Sequence, residues 1–388
     1  MNILFFLDVK LIKKDNQYYT TGAVNYNYLN GHRLTEEDKL VVICREDKDI
    51  RNSNKVLSLS SGKNIKFITI NNYSEFYKRD IKLIINKEIK KSELCFIKLP
   101  SYIGIMSYNK VVNKNKKYII EMVGCAWDSI WNYGNIIGKL VAPIIFLINK
   151  YYVKKSNNVI YVSNSFLQER YPTKGRCISC SNVKLKDVKT EVLEQRIKKI
   201  NSYKNNQQIK LGLIGSLNVG FKGHAQAIKA LSSVQKEYNN IELHFLGAGG
   251  QQQWKDLAKR YNVESKVFFD GTLPSGEPVM KWLDEIDIFL MPSLQEGLPR
   301  AMIEAMSRGC PIVGMKTGGI PELIDNEFIC KKKDYKKMTN KIELLISNRD
   351  LMKKQANKNF EESKKYLEKD LNDKRKSFLN MIIKENEV

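Results

Sequence analysis

Short apolar runs recur along this chain, each followed by a stretch of helical periodicity, and that alternation admits few architectures. Parallel strands need a crossover to return and bury both faces, so the pattern predicts parallel sheets covered by helices on both sides. The first series of predicted strands is Ile3–Leu7, Leu40–Cys44, Lys66–Ile70, Leu94–Ile97, Tyr118–Met122 and Asn158–Val162. A polar, Lys- and Asn-rich stretch from Lys184 to Gln208 follows, and it predicts a linker. The second series is Lys210–Ile214, Glu242–Leu246, Lys266–Phe269, Ile286–Met291 and Pro311–Met315. Between them lie amphipathic helices such as His224 to Tyr238, where Ile228, Leu231 and Val234 recur at threes. At 388 residues the chain is long for one core. The expected fold class is α/β, with two Rossmann-like parallel-sheet domains facing a central cleft. The expected boundaries are 1–185, a linker at 186–206, 207–365, and a terminal helix at 366–388. That helix carries Phe378, Leu379, Ile382 and Ile383 on one face, so it must dock, and the first domain is the expected seat.

The charge is uneven. Of a formal net charge of +23, residues 1–210 hold 37 Lys and Arg against 18 Asp and Glu, whereas residues 211–388 hold 28 against 24. A basic first half suits anionic lipid, a phosphorylated substrate or nucleic acid, and a lysine-rich composition spread over a solvated surface would give the same count. Nucleic acid is the poorest fit, since 53 of the 65 basic residues are Lys, and no zinc finger, RNP-like run or Arg-rich segment is present. Seven scattered Cys make no disulfide framework and suit a reducing compartment. Cys177 and Cys180 form a lone CxxC with no second pair at zinc spacing, so no metal is expected. The opening MNILFFLDVKLIKK places its charges after the apolar run and lacks a small-residue cleavage site, which predicts a buried strand rather than a leader. The most lipid-like stretch, Ile136 to Ile148, is interrupted by Lys139 and Pro143 and falls short of the roughly 20 residues a spanning helix needs. A soluble or peripheral protein is expected.

The residues after the predicted strands of the second series carry the chemistry, because ligands of open α/β sheets bind at strand carboxyl ends. Lys210–Ile214 runs into Gly215-Ser216-Leu-Asn-Val-Gly-Phe-Lys222-Gly223-His224. Glycines let the backbone approach a phosphate, and Lys222 adds a full charge; a plain turn with a surface lysine is the other reading. A P-loop is excluded, since Phe221 separates Gly220 from Lys222. The next strand ends in Gly247-Ala-Gly249-Gly250, half of a dinucleotide fingerprint. Most informative is Met291-Pro-Ser-Leu-Gln-Glu296-Gly297-Leu298-Pro299-Arg300-Ala-Met-Ile-Glu304-Ala-Met306. Pro299 suits the first turn of a helix, which leaves Glu296 in the loop and Glu304 on the helix. The rise from Pro299 to Glu304 is about 7.5 Å, roughly the span from a nucleotide's ribose to the sugar beyond its diphosphate. Arg300 adds charge at the helix start. Glu304 lies in an apolar stretch, so a half-buried carboxylate in need of a partner is expected. Thr317-Gly318-Gly319-Ile-Pro-Glu322 offers more backbone N–H groups before a further predicted helix start, with Glu322 either capping it or reaching a ligand.

These residues resemble a retaining family 4 glycosyltransferase of GT-B fold: Glu296 and Glu304 with seven residues between them, Lys222-Gly223, Gly247-Ala-Gly249 and Gly318-Gly319 occur in the family's order. The likeness is strong over Leu211 to Ile324. It is looser in the first half, where Val123 to Gly134 and Lys98 to Gly104 are similar to segments of capsule and O-antigen polysaccharide assembly enzymes. The resemblance implies a donor domain at 207–365 and an acceptor domain at 1–185. It implies that Glu304 holds the donor ribose, Glu296 the transferred sugar's hydroxyls and Lys222 the diphosphate. Gly215, Ser216, Gly223, Gly247, Gly249, Gly297, Leu298, Arg300, Gly318 and Gly319 would line the donor. It further implies a nucleotide diphosphate sugar as donor substrate with no cofactor and no metal, and an undecaprenyl-diphosphate-type lipid-linked acceptor. The enzyme would then be cytoplasmic and peripheral on an anionic membrane surface, the inner face of the plasma membrane.

The chain also departs from the family. Ser216 stands where many relatives have an Arg, so Lys222 and Arg300 must carry the phosphate charge. The N-terminal glycine loop is reduced to Gly22, an acceptor-side candidate, and His32 is the one His before residue 224. Asp128 is a candidate contact to acceptor or donor, and equally a helix cap. A nucleotide-sugar epimerase on the same fold and a catalytically inactive GT-B partner protein are the competing functions. Turnover without an acceptor would mark the first, and the intact glutamate pair speaks against the second.

Overall fold

The structure is a computed structural model that describes residues 1–22, 24–48, 57–132, 136–204 and 207–384. Gly134, part of one family-like segment, lies outside the described residues, as do residues 205–206 of the expected linker. The chain divides into two compact units, one of Met1–Ile130, Ile136–Asn182 and the segment from Leu371, the other of Trp131–Asn135 and Val183–Asp370.

In the first unit β1 (Asn2–Lys14), β2 (Gln17–Thr20), β3 (Lys39–Glu46), β4 (Ser58–Leu59), β5 (Ile65–Ile70), β6 (Leu94–Leu99), β7 (Lys117–Met122), β8 (Asn158–Tyr161) and β9 (Arg176–Ser179) share one sheet. Its parallel part runs β5-β3-β1-β6-β7-β8-β9. The continuous apolar run Ile3–Leu7 is buried throughout, as a strand covered on both faces requires. β1 outruns its predicted end because Leu11 and Ile12 are also buried. Its register slips between Phe6 and Lys10, and the far half pairs antiparallel with β2. Asp15 and Asn16 take left-handed φ of 50° and 57° to close that two-residue turn.

The apolar stretch after residue 135 differs from its expected length. Pro143 does not end it, and one helix runs over Ile136–Lys155, 20 residues, long and apolar enough to cross a membrane by length and composition. The last helix, Glu368–Lys384, lies in the first unit from Leu371 onward. Phe378, Leu379 and Ile382 are buried, and Lys117 Nζ donates to the carbonyls of Ile382 and Ile383 at 3.1 and 2.9 Å.

The second unit holds β10 (Ile209–Ile214), β11 (Ile241–Leu246), β12 (Val267–Phe269), β13 (Ile288–Met291), β14 (Ile312–Met315) and β15 (Ile329–Cys330), all parallel, in the order β12-β11-β10-β13-β14-β15. The stretch expected to be a linker instead contains a helix, Thr190–Asn201, belonging to this unit. Its polar composition hides one inward row: Ile200 is fully buried, and the buried Arg196 donates to the carbonyls of Leu283 at 2.8 Å and Arg308 at 3.1 Å. A buried guanidinium is tolerated because carbonyl oxygens replace the water it loses.

Candidate functional site

Strand order in the second unit reverses between β10 and β13, so the loops leaving those two strands border the switch point where open α/β sheets bind ligands. From β10 comes residues 215–223. Gly215 N donates to Leu246 O at 3.0 Å and Leu217 N to Ala248 O at 2.8 Å, which ties this loop to the one after β11. Ser216 Oγ donates to Ala248 O at 3.3 Å. Gly247 N donates to Gly271 O at 2.7 Å, and Asn218 Oδ1 accepts from Gly250 N at 2.9 Å, beside Gly249. The loop closes at Gly223, whose φ of 84° and whose approach to Pro292 O, 2.3 Å from where a Cβ would stand, leave room for glycine alone.

The loop after β13 supplies Glu296, Gly297 and Leu298, and the helix Arg300–Ser307 begins at Pro299. Leu294 N donates to Phe221 O at 2.7 Å, which docks the β13 loop on the β10 loop. That seam brings Lys222 Nζ to 2.7 Å from Glu296 Oε1. The two residues expected to act on separate parts of a donor thus hold each other. The loop after β14 closes the same edge: Gly319 N donates to Gly297 O at 2.7 Å, and a Cβ on Gly318, at φ 54°, would stand 2.0 Å from Glu296 O. No full helix follows; a short 3-10 turn, Ile320–Glu322, does.

Glu304 sits one turn into its helix, half-buried between Ile303 and Ala305. Among the described residues its carboxylate has no hydrogen-bond or ion-pair partner. Burial pushes its pKa up to about 7, with Arg300 one turn earlier pulling in the opposite direction. Arg300 is exposed at the helix start, and its guanidinium has no hydrogen-bond or ion-pair partner among the described residues. A carboxylate that burial holds near neutrality and a guanidinium on the same helix make two recognition points that nothing within this unit satisfies.

Sequence reasoning missed several residues of this edge. Ser293 Oγ, Gln295 Oε1 and Thr317 Oγ1 are buried with no hydrogen-bond partner among the described residues. Unpaired buried polar atoms are costly, and three beside Glu296 and Gly318 fit a polar ligand. The available signal was position, since Ser293 and Thr317 each stand two residues past a buried strand. Asn218, which clips two loops, left none. His224 starts the helix after Gly223 fully buried between Phe245 and Trp254, and burial lowers its pKa to about 4. Among the described residues no group of three His, Cys, Asp or Glu could hold a metal.

The remaining candidates lie in the first unit. Asp128 is buried with its carboxylate 3.6 Å from Arg170 Nη1, and Gly22 N donates to Thr20 Oγ1 at 3.0 Å in an exposed turn. His32 belongs to a buried cluster: its Nε2 is 3.4 Å from Glu121, which also accepts from Arg375 Nη1 and Tyr28 OH, each at 2.9 Å. Burial alone would raise the Glu121 pKa, but His32, Arg375 and Lys98 hold it well below the carboxylate range.

A model of the family described as glycosyl transferases group 1 matches residues 194–362. Over 372 residues the chain is 33% identical to protein CapJ of Staphylococcus aureus, covering 94% of this chain and 90% of that protein. Over 112 residues it is 37% identical to the amylovoran biosynthesis glycosyltransferase AmsK of Erwinia amylovora, covering 27% of each chain. The crystal structure of HepE of Anabaena in complex with UDP superposes with a TM-score of 0.69 at 14% identity, covering 98% of this chain and 100% of that one. The fold is therefore GT-B.

Proposed function

The chain belongs to the group 1 glycosyl transferases, and from that premise we propose that it moves a sugar, with retention at the anomeric carbon, from a nucleotide diphosphate sugar to a lipid-linked saccharide in the assembly of a surface polysaccharide. The observation that carries this reading is the edge built by the β10, β13 and β14 loops, where Lys222, Glu296, Arg300 and Glu304 gather over close-packed glycine backbone. Glu304, unpartnered and half-buried, suits the two ribose hydroxyls. Glu296 suits hydroxyls of the transferred sugar, and Lys222 with Arg300 suits the diphosphate.

In this reading the bond between the sugar's anomeric carbon and the diphosphate oxygen breaks while an acceptor hydroxyl attacks the same face. The acceptor's proton passes to the leaving diphosphate oxygen, so no protein nucleophile is needed. Lys222 and Arg300 stabilise the charge that gathers on the leaving group, which is where preorganised cations lower a barrier most. Arrival of a diphosphate draws Lys222 from Glu296 and frees that carboxylate for the sugar. AmsK's part in amylovoran biosynthesis supports a polysaccharide acceptor, and the UDP bound by HepE supports a nucleotide donor. The lipid-linked acceptor rests on the family likeness.

A thermal-shift panel of nucleotide sugars, followed by nucleotide release with the best ligand, tests the proposal. Lys222→Ala, Glu296→Ala and Glu304→Ala should each cut release by roughly a hundredfold, the usual cost of removing one preorganised charge. Wild-type release in all three would refute the site.

A further inference from the structure

The helix Ile136–Lys155 faces away from its own unit with an apolar stripe. Ile136, Ile137, Leu140, Ile144, Leu147 and Tyr151 are 57–78% exposed. At 3.6 residues per turn these six fall within about 100° of arc. The opposite side is buried at Ala142, Asn149 and Val153. Six large apolar side chains in one exposed row exceed what scattered surface residues explain. The only charged residues of this helix are Lys139, Lys150, Lys154 and Lys155, with no Asp or Glu.

We propose that this stripe seats in the headgroup region of an anionic phospholipid bilayer, with the helix lying flat on the surface. The reading deepens the proposed function, and rests on it, by naming where the chain would meet a lipid-borne acceptor. Charge complementarity selects the occupant, because a helix carrying lysines and no carboxylate, in a first half with a large basic excess, matches anionic headgroups. Packing selects the orientation. Tyr152 stacks on Tyr108 with ring centroids 3.9 Å apart, and Phe146 lies against Tyr171 at 5.1 Å. A spanning helix would have to abandon those contacts and carry Asn149 into hydrocarbon, whereas a flat one keeps them and leaves the lysine ends in the headgroups.

Co-sedimentation with phosphatidylglycerol–phosphatidylcholine vesicles tests this, using the full chain and the double variant Leu140→Glu/Leu147→Glu. Both positions are exposed, and an unchanged melting temperature verifies the variant's fold. The variant should bind at least tenfold more weakly than wild type, and wild type should bind pure phosphatidylcholine at least tenfold more weakly than the mixture. Equal binding by variant and wild type would overturn the proposal, as would equal binding to both vesicle types or wild-type protein that resists an alkaline carbonate wash. So would a wild-type dimer that the variant dissolves with no vesicle binding by either, since the stripe would then seat a second copy. Nucleotide release from a soluble donor should be the same in both proteins. Absent release with intact vesicle binding would strike the glycosyltransferase reading and leave this one standing.

Discussion

Glu304 joins a physical oddity to a proposed role. Its folded pKa of about 7 stands above the ordinary 4.5 because of burial. The folded chain therefore keeps a proton that the unfolded chain loses, and stability falls as pH rises from about 4.5 through about 7. The loss is on the order of 3 kcal/mol across that window. Glu304→Gln should flatten the slope, which melting curves at pH 4.5, 6 and 8 would reveal; an unchanged slope would mean another group sets it. A carboxylate accepting two ribose hydroxyls must be ionised, so nucleotide affinity should rise with pH up to about 7 in wild type and stay level in Glu304→Gln. The places of Lys222 in the loop after β10, Glu296 in the loop after β13 and Glu304 on the helix that follows are legible in the sequence, because strand, glycine loop and helix lie next to one another along the chain. The pairing of Lys222 with Glu296 was not, since 74 residues separate them and the contact depends on how the β10 and β13 loops dock. The same limit hid Ser293 and Thr317, whose burial comes from neighbours far along the chain.

At the scale of elements, every predicted strand is present, because most of these strands are covered on both faces and so are written as apolar runs, with polar residues confined to alternate positions in the others. Composition hides the helix Thr190–Asn201, which has one inward row in a polar setting, while the full length of the apolar helix Ile136–Lys155 is hidden by Pro143, which sits inside the helix. Two elements give direct tests. Arg375, on the last helix, donates to Glu121 at 2.9 Å and to Asn182 Oδ1 at 2.7 Å. Arg375→Ala would strip the buried Glu121 of its close guanidinium partner and leave it Tyr28 and His32 alone as neighbours within hydrogen-bond reach, at a cost of about 3–5 kcal/mol. Denaturant unfolding of the first unit should register that loss, whereas an effect below about 1 kcal/mol would show the helix to be a dispensable appendage. Gly318→Ala should push the β14 loop off Glu296 at a cost of about 1–3 kcal/mol of backbone strain, plus the clash. Its donor binding should fall even at temperatures where the variant is fully folded.

For the molecule as a whole, two Rossmann-like units divide the chemistry. Glu304, Lys222 and the glycine edge all belong to the second unit, while the outward apolar helix belongs to the first. On this account the donor is gripped by residues of one unit alone, through a small set of charges set on rigid loops. Isothermal titration of the full chain with the nucleoside diphosphate of its best donor measures that grip without any acceptor or membrane. Lys222→Ala and Glu304→Ala should each weaken binding at least tenfold, about 1.4 kcal/mol, while Leu140→Glu/Leu147→Glu binds like wild type. Undiminished affinity in both site variants would contradict the account.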